Sequence, residues 1–131
     1  MNELLNEKYS DLDKFIKDNK SNYINSNPFP NIVIDDFFNK EFLNDVLNEF
    51  PNLSKKQNSD SYENQNEIKF ANNLYNDFPR NIKLLFDFLN SDYFVTFLQK
   101  ITNINEKLII DEKLNGGGLH EIRKGGLLKI H

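Results

Sequence analysis

GGGLHEIRKGGLLKIH, residues 116–131, is the stretch whose reading decides the fold. It carries all five glycines of the chain and both of its histidines. Its pattern predicts a β-hairpin: a strand over 119–122, a turn over 123–126 and a second strand over 127–131. Leu127, Leu128 and Ile130 supply the apolar strand positions, and Gly125-Gly126 supplies the positive-φ positions of a tight turn. The chain stops on His131 without a turn, cap or polar tail. That ending reads as a strand cut short.

Outward from this stretch, 108–110 is expected to be a strand, and 111–115 leads from it into the glycines. Ser91 is placed to cap a helix over 92–102 that packs through Phe94, Phe97, Leu98 and Ile101. Ile82, Leu85, Phe86 and Leu89 recur at helical spacing, with Asp77 as the expected cap and Pro79 in the first turn. Residues 68–71 form a short ordered piece of undecided type. Residues 52–67 are polar, lack an apolar period and are expected to form a loop. Asn39 caps a helix over 40–50 that presents Phe42, Val46 and Phe50 on one face, with Leu43 and Leu47 beside them. Pro51 stops it. Residues 31–36, NIVIDD, predict a strand from three β-branched residues in a row. Residues 21–30 are turn-rich. Residues 2–19 predict a helix through Leu4, Leu5, Leu12, Phe15 and Ile16. No internal repeat interrupts this order.

Composition narrows the function classes. At 131 residues the chain is one domain or part of one, and its 12 phenylalanines argue for a folded core. The formal charge of −4, with no basic stripe, makes nucleic acid a poor partner. The absence of cysteine excludes disulfides, thiolate metal sites and a cysteine nucleophile. The acidic, amphipathic N-terminus has no apolar signal region, and no apolar run is long enough to span a membrane. The expected setting is cytoplasmic.

Reactive groups are few. There is no Walker loop, HExxH, GxSxG or dinucleotide fingerprint. The pairs Asp35-Asp36 and Asp11/Asp13 read as solvated acids. Gly116–Gly118 lacks the lysine and helix start of a phosphate cradle. His120 and His131 remain. One imidazole does not hold a catalytic metal, because iron and zinc sites take three protein ligands.

GGGLHEIRKGGLLKIH resembles the segment entering the metal site of Fe(II)/2-oxoglutarate-dependent dioxygenases of the prolyl-4-hydroxylase-like branch. Gly125, Leu128 and His131 match that family's G-x-x-[YL]-x-x-H spacing. PFPNIVIDD (residues 28–36) with Phe37-Phe38 looks like its first strand, residues 40–50 like its first supporting helix, and residues 86–102 like the helix pair before its catalytic sheet. The resemblance runs from about Pro28 to the end.

The resemblance implies an α+β fold: a helical layer plus the first strands of a double-stranded β-helix, or jelly roll, truncated at the C-terminus. It implies one domain part over 1–131, with an N-terminal helix and linker (1–27), a strand and supporting helices (28–115) and a hairpin entering the metal site (116–131). It further implies Fe(II), 2-oxoglutarate as co-substrate, O2, and ascorbate as an accessory reductant. The reaction would hydroxylate an unactivated C–H of a prolyl or related substrate and release succinate and CO2. His131 carries over as an iron ligand. The aspartate two positions on, the distal histidine and the basic residue for 2-oxoglutarate would lie beyond it, so this chain alone is expected to be inactive. Leu128 stands where many relatives have a tyrosine touching 2-oxoglutarate, and His120 is a candidate for the site's surroundings or for substrate. The rival expectations are a non-catalytic interaction module on the same scaffold, a cupin-like metal protein and an unrelated α+β packing domain.

Overall fold

The computed structural model describes residues 4–130. These form an α+β fold of four α-helices and a three-stranded antiparallel sheet in the order β1-β2-β3. The helices are α1 (Leu12–Ile24), α2 (Lys40–Glu49), α3 (Arg80–Leu89) and α4 (Asp92–Thr102). The strands are β1 (Asp60–Glu63), β2 (Ile68–Asn72) and β3 (Leu119–Glu121).

Local signals place the middle helices well. The Asn39 side chain accepts the amides of Glu41 and Phe42 and starts α2. The Ser91 hydroxyl accepts the Phe94 amide and starts α4. α3 starts differently from expectation. Asp77 does not cap it. Instead Glu49, at the end of α2, receives the Asn81 amide at 2.8 Å and the Asn81 side chain at 2.9 Å. A carboxylate from a neighbouring helix thus does the work of a local cap.

The N-terminal helix begins later than the apolar spacing predicts. Asp11 accepts the Lys14 amide at 2.8 Å and sets the start at Leu12. Before it, Leu5 forms an antiparallel bridge with Phe38, flanked by Asn6 N–H to Phe37 C=O and Asn39 N–H to Leu4 C=O. The expected strand over 31–36 does not form. Ile32 and Ile34 pack inward while Val33 is 81 % exposed, so the alternation is present, but no strand among the described residues pairs with it.

Two further expectations are corrected. Residues 52–67 are not a featureless loop: they hold a 3₁₀ turn, Leu53–Lys55, and the exposed edge strand β1. An edge strand wetted on both faces shows no apolar period. Asn64 closes the β1–β2 turn, its side chain accepting the amides of Asn66 and Glu67. The expected strand over 108–110 is absent. The amide of its first residue, Leu108, goes to the Gln99 side chain, and that of Asp111 just after it to the Asn90 side chain.

The apolar residues gather in two clusters. Leu5, Tyr9, Leu12, Phe88, Phe97 and Ile101 form the core of the helical layer, where α1 packs on α4. Leu53, Phe78, Ile82, Leu114 and Leu119 form the other, between α3 and the inner face of the sheet, with Phe70 packed against it. α3 serves both: Ile82 and Phe86 point to the sheet side, Phe88 and Leu89 to the helical side.

Candidate functional site

The C-terminal stretch is laid out differently from a hairpin. β3 pairs with β2 through Phe70↔Glu121, Ala71↔His120 and Asn72↔Leu119. After the turn the chain does not fold back on β3. It continues along the same edge of β2, with Leu128 bridged to Glu67, Ile68 N–H donating to Leu127 C=O and Lys129 N–H to Asn66 C=O. Three steps along β2 match seven along the partner, so four residues are looped out. Gly125 takes φ +86°, and at Gly126 a Cβ would lie 2.8 Å from the Ile68 carbonyl oxygen. The two glycines serve a bulge-like excursion, which needs the same backbone freedom as a reversal.

Because the slip is even, side-chain parity survives it. His120 faces the side of the sheet shared by Ala71, and Leu128 the side shared by Glu67, and those β2 positions lie on one face. His120 and Leu128 therefore share the outer face, roughly 13 Å apart along β2. Both are exposed. Asp60, Tyr62 and Lys69 join this face through Asp60↔Ala71 and Tyr62↔Lys69. Lys69 pairs with Glu67 at 2.8 Å, and its ammonium lies 5.1 Å from the Tyr62 ring centre.

The approach to β3 is held by two carboxylates. Asp111 accepts the amides of Gly116 at 2.7 Å and Asn115 at 2.9 Å, and these hold its carboxyl below the usual range. Glu121 accepts Arg123 Nε at 2.7 Å and the Leu53 amide at 2.6 Å, which ties β3 to the 3₁₀ turn. Arg123 first, then the Leu53 and Ser54 amides, hold the Glu121 carboxyl low. At Gly118, with φ +150°, a Cβ would meet the Asn72 carbonyl oxygen at 2.8 Å, so the glycine loop lies directly over the end of β2.

The expected iron ligand, His131, lies outside the described residues. Among the described residues no group of three His, Asp or Glu side chains is placed to hold a metal ion. The described residues alone therefore do not fit an iron centre. The structure brings His120 and Leu128 onto one face but not into contact. Sequence reasoning missed Asp60, Tyr62 and Lys69. Their alternation with the inward positions Ser61 and Phe70 was the available signal, and it is visible only once 60–63 and 68–72 are recognised as paired strands.

No helix among the described residues is long and apolar enough to cross a membrane. Comparison of the chain with protein-family models, with characterised proteins and with solved structures finds no significant match.

Proposed function

We propose that this chain is the N-terminal portion of a cytoplasmic Fe(II)- and 2-oxoglutarate-dependent hydroxylase, resembling the prolyl-4-hydroxylase-like branch and completed as a jelly roll by residues that follow His131. The observation that carries the reading is the course of residues 119–130: strand β3 and an extended segment bridged to β2 at Leu128 lie on one edge of β2, joined by a glycine excursion, just before the expected ligand. Helices back one face of this sheet while the other stays open, the arrangement a second sheet would need.

Iron, once held by His131 and ligands from outside this sequence, would supply the activation of O2. The residues of this chain have narrower tasks. Leu128 would border 2-oxoglutarate with an apolar side chain that offers no hydroxyl. The glycine excursion would set the register of the ligand-bearing strand. The helical layer would keep the sheet's inner face dry.

The test is to produce the chain together with the residues that follow His131 in its reading frame and to measure succinate formed from 2-oxoglutarate. Fe(II)-dependent release that His131→Ala abolishes is the expected result. No aspartate two positions beyond His131, or release indifferent to His131→Ala, overturns the reading. The 131-residue chain itself should bind Mn(II) only weakly, and tight stoichiometric binding would also contradict the proposal.

A further inference from the structure

The outer face of the sheet carries a depression of about 250 Å³ between the strands and the glycine loop. It is smaller than the usual drug-sized pocket, so it suits a small molecule. Its floor is a single cross-strand row, Asp60–Ala71–His120. Two strand spacings separate the outer residues of that row by roughly 10 Å at their backbones. The short Ala71 side chain leaves the space between them open. Lys69, two positions along β2, lines the same depression, and the backbone at Gly118 walls it.

We infer that this depression binds a small zwitterion, such as a free α-amino acid, with the ammonium at Asp60 and the carboxylate at Lys69 and His120. The charges are arranged for both ends of such a molecule. Asp60 makes no ion pair or side-chain hydrogen bond among the described residues, and neither does His120. An imidazole offers an N–H donor whichever nitrogen carries the proton. Lys69 is fixed between Glu67 and the Tyr62 ring, and its side chain is 15 % exposed. A positioned ammonium costs less conformational entropy on binding than a free one. A simple anion would feel Asp60 as repulsion, and a simple cation would feel Lys69 the same way.

The site stands on this geometry and does not need the hydroxylase reading. An amide NMR titration of the full 131-residue chain tests it, using L-alanine with acetate and methylammonium as its two halves. L-alanine in the millimolar range should give saturable shifts at Ala71, Gly118 and His120, and each half should bind several-fold more weakly. Asp60→Asn should remove the methylammonium response and strengthen that to acetate. His120→Ala should weaken the acetate response and leave that to methylammonium. No saturable shift at these amides, or responses unchanged in both variants, overturns the inference. Succinate release is a separate readout, so failure here is distinguishable from failure of the hydroxylase proposal.

Discussion

Around Phe97, the rings of Phe15, Phe37 and Phe94 close in with centroids 5.8–6.2 Å away, and the cluster is apolar apart from the Tyr9 hydroxyl donating to the Asp35 carbonyl. Around Leu53 the packing is aliphatic as well as aromatic, and hydrogen-bonding side chains run through it. Buried Asn72 accepts the Leu74 amide at 2.8 Å and donates to the Asn58 carbonyl at 3.3 Å. Glu121 receives the Leu53 amide. The contrast follows from what each side is made of. Helices satisfy their own backbone, so the helical layer needs only shape and apolar area. The sheet side is assembled from 3₁₀ turns and loops, whose amides must find side-chain partners.

Phe97→Ala is the largest test of this contrast. It should cost about 3–5 kcal/mol by denaturant unfolding, through lost transfer energy and a cavity among the rings. A loss below about 1 kcal/mol would mean that the rings do not form a tight core. On the sheet side, Asn72→Ala should cost roughly 1–3 kcal/mol, because it removes two hydrogen bonds of a buried side chain at about 0.5–1.5 kcal/mol each. Faster hydrogen exchange at Leu74 would report that loss directly.

Glu121→Gln should cost less, about 1–2 kcal/mol, since the amide keeps an acceptor but loses the charge. Its signature is in pH. The folded carboxyl is held below its ordinary value. Its contribution is therefore present above the unfolded value, about pH 4.3, and is lost as pH falls through the folded one. The variant should show a smaller loss of stability between neutral and acidic pH than the parent. An identical pH profile would mean that Glu121 does not latch β3 to the 3₁₀ turn. The smallest effect belongs to the open face: His120→Ala should change stability by no more than about 0.5 kcal/mol. A larger loss would show that this face is packed rather than free.

The helical layer was legible for local reasons. Asn39 and Ser91 act on amides two or three residues away, and the stripes of α3 and α4 repeat within one element. Even so, the expected stripe of α3 omitted Phe88, which is 2 % exposed. A helix touching two clusters buries a wider arc than one stripe: Ile82 and Phe86 serve the sheet side and Leu89 the helical side, and Phe88 beside Leu89 falls outside the i, i+3, i+4, i+7 spacing. The strand over 31–36 failed for the opposite reason: its residues have the right propensity, but a strand exists only where a second segment pairs with it. The candidate site was half legible. Its residues in 116–131 were found, while Asp60 and Tyr62 belong to a strand, DSYE, with too little apolar content to announce itself, and Lys69 to the short piece over 68–71 whose type only that pairing decides.

By itself the sequence determined where α2 and α4 begin, which residues are apolar enough to be buried, and that the chain must change direction freely at Gly125-Gly126. Only the tertiary structure decided what that freedom is used for. A pair of glycines permits a hairpin and a looped-out excursion equally well. The choice falls to β2, more than fifty residues earlier in the chain, whose free edge accepts both β3 and Leu128. Helix starts are settled by neighbours along the chain, but strand pairing is settled by segments brought together only when the whole core closes.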